Sequence, residues 1–215
     1  MKTSIIIMCA GEGKRWGKEY PKHIALVNGK PNVKRTHDMV VKNGFKPNDI
    51  YITVSNENGG HFPTELNLIV GNSSREIDRF RNGFPILKDY DRTIFLYGDT
   101  IYHEDDLKNI LLGDGYSFYG KKQPNRLTGK PYGEIYGVVI TKKDEFIQDV
   151  NQIALDFENG IIVRETGWEV YYYPYSKEIK TFTELSSLTD DYDHYDEYIN
   201  LMEVFFPQNT TPSRK

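Results

Sequence analysis

Apolar and polar positions divide the chain into short blocks. Residues 4–10 form an unbroken apolar run rich in β-branched side chains, the pattern of a parallel strand buried on both faces. Similar blocks at 49–54, 66–70 and 92–97 predict three more strands. Between them lie segments of helical character. Residues 32–43 place Val33, Met39 and Val40 near one face, with Gly44 as a stop. Residues 73–87 open on Ser73 or Ser74 as a cap, with Glu76 in the first turn. Residues 103–112 predict a shorter helix. Strand and helix thus alternate over 1–112, which predicts an α/β domain with a mostly parallel sheet. After that the pattern changes, to strands at 116–121, 133–141, 160–164 and 168–174, an amphipathic helix at 143–155 and a closing helix at 192–206. The run Tyr171, Tyr172, Tyr173 is read as part of a strand, because aromatic side chains favour a pleated surface. The polar tail 207–215 holds two prolines and is expected to fray.

Composition narrows the function. A length of 215 residues suits one domain, here 1–206 followed by the tail. Aromatics at 13% exclude general disorder. A net charge of −4 argues against a nucleic-acid partner, since phosphate backbones are held by a basic surplus. No stretch approaches the ~20 apolar residues that cross a bilayer, so no membrane partner is expected, and 4–10 is too short for a signal-peptide core. Cys9 is the single cysteine, which excludes an internal disulfide and a cysteine-based zinc site and fits a reducing, cytoplasmic setting.

The chemistry concentrates in three places. Directly after the first strand comes Gly11-Glu12-Gly13-Lys14-Arg15, then Pro21-Lys22. Ligands of open α/β sheets bind beyond the carboxyl ends of the strands, where this loop sits. Glycines let backbone N–H groups approach phosphate oxygens, and Lys14, Arg15 and Lys22 supply the local positive charge that a net-acidic chain needs for a triphosphate. The loop lacks the Gly-Lys-Ser/Thr ending of a Walker motif, and the third glycine of a dinucleotide fingerprint would fall at Trp16. A turn with solvated lysines is the simpler alternative. Second, Asp99 follows Tyr97-Gly98 at a strand's end, a place for a Mg²⁺ ligand or for a turn cap. Third, Asp190, Asp191, Asp193, Asp196 and Glu197 gather around the start of the last helix, where acids also favour the helix dipole.

Met8-Cys9-Ala10-Gly11-Glu12-Gly13-Lys14-Arg15 followed by Pro21-Lys22 resembles the signature loop of the nucleotidyltransferases with a GT-A-like fold. These include the sugar-phosphate nucleotidyltransferases, the methylerythritol phosphate cytidylyltransferases and the molybdenum cofactor guanylyltransferases. Cys9 stands for a usual Ala, and Trp16 where Met or Leu is common. The resemblance implies a Rossmann-like, mostly parallel mixed sheet flanked by helices, with a nucleotide-binding half at 1–112 and an acceptor-binding half at 113–206. It implies Mg²⁺-dependent coupling of a nucleoside triphosphate, CTP favoured, to a phosphorylated small molecule such as a sugar or alditol phosphate, with release of pyrophosphate. Ala10, Gly11, Glu12, Gly13 and Lys14 would hold the nucleotide, and Ser74, Arg75 and Asp78 would read the base, Asp78 standing where relatives often have Ser. Arg15 and Lys22 would be the catalytic cations, both expected at the mouth of a cleft. Asp99 would hold the metal with Asp193, ahead of Asp191. Lys130 and Glu134 would contact the acceptor, although a hairpin turn explains the glycines around them equally well. A homodimer is compatible with this reading. Two alternatives stay open: a GT-A-type glycosyltransferase using a nucleotide sugar, and a non-catalytic nucleotide-binding relative.

Overall fold

Thr3–Met8 forms the first strand, β1, and its side chains explain the architecture. Ile5 and Ile7 pack into one apolar core and Ile6 and Met8 into another, so the strand is covered on both faces. The computed structural model describes residues 1–11, 13–71, 75–124, 128, 130–173, 178–186 and 188–207. After β1 come β2 (Leu26–Val27), β3 (Lys30–Pro31), α1 (Asn32–Lys42), β4 (Ile50–Val54), β5 (Asn67–Val70), α2 (Glu76–Arg81), α3 (Phe84–Leu87) and β6 (Arg92–Tyr97). Then follow β7 (Thr100–Ile101), α4 (Glu104–Leu111), β8 (Tyr116–Lys121), β9 (Glu134–Ile140), α5 (Lys143–Glu158), α6 (Gly167–Tyr172), β10 (Lys180–Glu184), β11 (Asp190–Asp191) and α7 (Tyr195–Phe205).

Seven strands make one sheet in the order β10-β8-β9-β6-β1-β4-β5. Only β9 opposes the rest, pairing antiparallel with β6 and β8. This is the mostly parallel mixed sheet expected from the sequence. Helices α1 and α4 cover one face through Val33, Val40, Leu107 and Ile110; α2, α5 and α6 cover the other through Ile77, Phe80, Val150 and Val170. The chain leaves β1 towards β4 and β5, then returns to β6 on the other side. That reversal opens a crevice above the carboxyl ends of β1, β4 and β6, the usual ligand position of such sheets. No helix among the described residues is long and apolar enough to cross a membrane.

The structure departs from the sequence pattern in four places. The helix expected over 73–87 is two short ones, α2 and α3, broken at Asn82-Gly83. A Cβ on Gly83 would lie 2.7 Å from both Ile6 and Phe95, so the chain turns there against the sheet, and Pro85 withholds an N–H just beyond. Residues 160–164 form no strand; Ile161 and Val163 face solvent. Residues 168–174 were expected as a strand, but Gly167–Tyr172 is helix α6, and Pro174 lies outside the described residues. A capping box at Thr166 and Glu169 overrides the aromatic β-propensity of Tyr171 and Tyr172. The edge strand β10 leaves no hydrophobic period in the sequence, since Phe182 is the single apolar residue of its five.

One buried ion pair ties these late elements together. Lys180 on β10 meets Asp149 on α5 at 2.7 Å with both side chains fully buried, and its ammonium also donates to the Val170 carbonyl on α6. Tyr116 donates to Asp149 from β8. Asp149→Ala removes the counter-charge of a buried ammonium, so urea unfolding is expected to show a loss of about 3–5 kcal/mol. The double variant Asp149→Leu with Lys180→Met, which buries no charge, should lose far less. A single variant within about 0.5 kcal/mol of the parent, the range of ordinary surface substitutions, would show that the pair does not hold this end of the fold.

Candidate active site

The loop after β1 turns because Gly13 adopts φ 60°, a left-handed conformation that glycine enters without strain. Its far end is held by aromatic packing. Trp16 is buried against Tyr20, Tyr192, Tyr195 and Tyr198, with ring centroids 5.4–6.1 Å apart. The loop is thereby fixed to α7 and to the acidic segment before it. Asn58 supports the loop from beneath, its amide donating to the carbonyls of Cys9 and Gly11 at 3.5 and 3.4 Å.

Asp99 sits one residue past Gly98, where two strand ends nearly touch. A Cβ on Gly98 would lie 2.3 Å from the Cys9 sulfur and 2.8 Å from the Met8 carbonyl, so only glycine fits. The β7–β11 ladder pairs Asp191 with Thr100. It brings the late acidic segment to Asp99 across about ninety residues of sequence. Asp99, Asp191 and Asp193 each offer a carboxylate oxygen, and these oxygens lie within 4.8 Å of one another.

Three cations thread this cluster. Lys22 bridges Asp99 and Asp193 at 2.6 and 2.8 Å. Lys130 reaches Asp191 at 2.5 Å and Asp193 at 3.4 Å. Arg15 meets Asp193 at 2.9 Å. Burial would push the Asp99 carboxyl up, but Lys22 and its neighbours outweigh it and hold the group well below the ordinary carboxylate range. Burial likewise works against the Lys22 ammonium, yet Asp99 and Asp193 keep it above its ordinary value. Asp191 is raised: it is buried and faces Asp99 and Asp193, and Lys130 offsets only part of that. Burial, with Asp191 near, also raises Glu134. His23, behind Asp99, is pushed down to about 3 by burial and stays neutral.

Two cavities open on either side of the loop, and Gly11, Gly13 and Lys22 line both. The first, of about 750 Å³, runs under Trp16 and Tyr20 to Ser55, Asn58, Gly71, Arg75 and Asp78. The second, of about 720 Å³, holds Lys14, Arg15, Asp99, Asp191 and Asp193 on one wall and Tyr132, Glu134, Arg164, Trp168 and Tyr172 on the other. Thus the loop, through Gly11, Gly13 and Lys22, forms a wall common to two cavities of similar size.

Most of the residues singled out from sequence meet here. Arg75 and Asp78 share the first cavity and pair with each other at 3.0 Å. Arg15 stands at the cleft mouth, its side chain 60% exposed. Lys22 does not: its side chain is 10% exposed, drawn in by two carboxylates. Ala10 is fully buried and lines neither cavity. Lys130, expected at the acceptor, is buried behind Asp191 instead, while Glu134 does line the second cavity. Glu12 and Ser74 lie outside the described residues, as does the tail from residue 208. Asn58 had no sequence signal beyond an Asn- and Gly-rich loop.

No family model and no curated protein matches the sequence. Solved structures do match. A protein from Bacillus anthracis described as a glucose-1-phosphate thymidylyltransferase, in complex with a sucrose, superposes with a TM-score of 0.69 at 13% identity, covering 94% of each chain. The CTP:phosphocholine cytidylyltransferase of Streptococcus pneumoniae gives 0.63 at 15% identity, over 95% of this chain and all (100%) of that one. HddC from Yersinia pseudotuberculosis, complexed with GMP-PN, gives 0.63 at 16%, over 95% of this chain and 100% of that one. The chain has the α/β fold of these proteins.

Proposed function

We propose that the chain is a Mg²⁺-dependent nucleotidyltransferase that joins a nucleoside triphosphate to a phosphorylated small molecule and releases pyrophosphate. The observation that carries this reading is the loop Gly11–Lys22 set between two cavities, with three carboxylates at its edge. A solved cytidylyltransferase of the same fold, and a second solved protein described as a thymidylyltransferase, support the reaction class.

The residues fit a divalent cation. Carboxylate oxygens are the ligands hard cations take, and Asp191 Oδ1 is buried with no hydrogen-bond partner among the described residues. Asp99, Asp191 and Asp193 would hold Mg²⁺, which when bound polarises phosphoryl oxygens and neutralises their charge. The chain's own groups do the rest. An acceptor phosphate is largely dianionic near neutral pH, its second pKa being about 6, so its oxygen attacks the α-phosphorus without a protein base. A new P–O bond forms as the bond to the β-phosphate oxygen breaks, and pyrophosphate carries the electron pair away. Arg15, exposed at the mouth, and Lys22, at the junction of the cavities, neutralise the charge that builds on the phosphorus and the leaving group. Glu134 and the Trp168–Tyr172 wall face the acceptor.

Asp78 lines the first cavity with its carboxylate held by Arg75 and Arg81, and a base edge bearing an amino group would compete with those arginines for its oxygens. CTP is therefore the first nucleotide to test, with GTP next. A pyrophosphate-release screen of four nucleoside triphosphates against phosphorylated sugars, alditols and phosphocholine, with Mg²⁺, is expected to give acceptor-dependent release for one pairing. Release of a nucleoside diphosphate from a nucleotide sugar would point to a glycosyltransferase instead. Nucleotide binding with no turnover on any acceptor would overturn catalysis.

A further inference from the structure

Arg79 lies on α2 and lines the second cavity with Lys14, Arg15, Lys22 and Asp99. We infer that Arg79 binds the polyphosphate of the substrate, and that residue 11 is glycine to make room for its guanidinium. The inference rests on the nucleotide reading above and adds to it a cation that the loop motif does not contain.

Two observations carry it. The first is steric. Gly11 is not among the glycines with positive φ, so its backbone does not demand glycine. What occupies the space is Arg79: a Cβ on residue 11 would lie 3.2 Å from Nη2, 3.5 Å from Cζ and 3.8 Å from Nη1. The guanidinium therefore rests on the loop where a phosphate would approach. The second is electrostatic. The other arginines near the loop and on α2 carry a carboxylate: Arg15 has Asp193, Arg75 has Asp78, and Arg81 has Asp78 at 3.4 Å. The Arg79 side chain has no ion pair or hydrogen bond among the described residues, and its Nε is buried without a partner. Its acidic neighbours are engaged elsewhere. Glu76 accepts from Tyr97 and from the Gly167 N–H, Asp78 takes two arginines, and Asp99 takes Lys22.

Lys22, Lys130 and Arg15 are thus already matched by acids, whereas Arg79 keeps its charge available before any anion arrives. A guanidinium is planar, always charged and rich in donors, and it matches two phosphate oxygens at once. The ligand chemistry is a chain of phosphates, whether the triphosphate of a nucleotide or the pyrophosphate that leaves.

Calorimetric titration of inorganic triphosphate and of the four nucleoside triphosphates, each with Mg²⁺, tests this. Arg79→Gln should weaken triphosphate binding at least about tenfold, the loss of a charged hydrogen bond or more, with the melting temperature of the ligand-free protein unchanged. Arg79→Lys should recover part of the affinity. Gly11→Ala should displace the guanidinium by a few tenths of an ångström and weaken binding to a smaller extent, but should add little in an Arg79→Gln background, because the two changes act on one contact. Should Arg79→Gln fail to fold, Arg79→Lys and Gly11→Ala carry the same comparison. Binding equal to the parent in Arg79→Gln overturns the assignment and leaves the nucleotide reading standing. A parent that binds inorganic triphosphate through Arg79 but none of the four nucleotides keeps the assignment and overturns the nucleotide reading. A parent that binds neither overturns both.

Discussion

Lys22→Ala should lower kcat/KM at least ~10²-fold, the scale of losing one group that stabilises developing negative charge. It should also destabilise the ligand-free protein, and this second effect separates it from Arg15→Ala. Lys22 is buried and is the only ion-pair partner Asp99 has among the described residues. Taking it away strands a buried carboxylate, which costs about 3–5 kcal/mol. At roughly 2–4 °C per kcal/mol for a chain of this size, thermal melts should fall by about 6–20 °C. Arg15 is largely exposed, and Asp193 keeps Lys22 and Lys130 without it. Arg15→Ala should therefore lose a similar factor in turnover while melting close to the parent, as exposed ion pairs contribute ~0–1 kcal/mol. The double variant Lys22→Ala with Asp99→Asn removes the stranded charge. It should regain most of the lost stability and none of the activity. Parental turnover in Lys22→Ala would remove the lysine from the mechanism; a parental melting temperature would show that its carboxylates are served by other groups.

That contrast between Arg15 and Lys22 was not legible in the sequence, and the reason is general to this site. Local pattern identified the loop, because glycines and bases next to a buried strand are a short-range signal. It identified the parallel core, because Ile5, Ile6 and Ile7 leave no polar face. It placed Asp99 and the late acids separately. Their distance from one another depends on the β7–β11 ladder, two residues long on each side and too short to leave a hydrophobic period. The same ladder moves Asp191 level with Asp193, which the family resemblance places first. Lys130 and Glu134 are four residues apart and were read as one acceptor contact, yet the fold turns the lysine inward to Asp191 and leaves Glu134 in the cavity. In the second half, Thr166 and Glu169 form a capping signal three residues apart that outweighs the tyrosines following it. Arg79 is invisible by pattern, since a helix with Arg75, Arg79 and Arg81 gives no hint which one lacks a carboxylate.

The metal should behave cooperatively with the nucleotide. Three carboxylates and three cations already balance one another at the cluster. A divalent ion added alone must displace Lys22 and Lys130 from their acids, leaving buried ammonium groups with nothing to face. Phosphate oxygens supply what they would face. Mg²⁺ alone is therefore expected to move the melting temperature little, nucleotide alone modestly, and the two together by more than the sum, because each ligand binds the folded state better once the other is present. Asp99→Asn should lose that excess, and should lose activity by ~10²–10⁴-fold, the several kcal/mol that a bound metal contributes to charge stabilisation. Asp191→Asn and Asp193→Asn are each expected to match it, since the three oxygens lie within one 4.8 Å cluster. Replacement of either that leaves the excess shift intact would reduce the site to two ligands. A full shift with Mg²⁺ alone, to which nucleotide adds nothing, would mean that the cluster binds cations for stability rather than for a phosphoryl substrate, and the lysines would then be only its resting counter-charges.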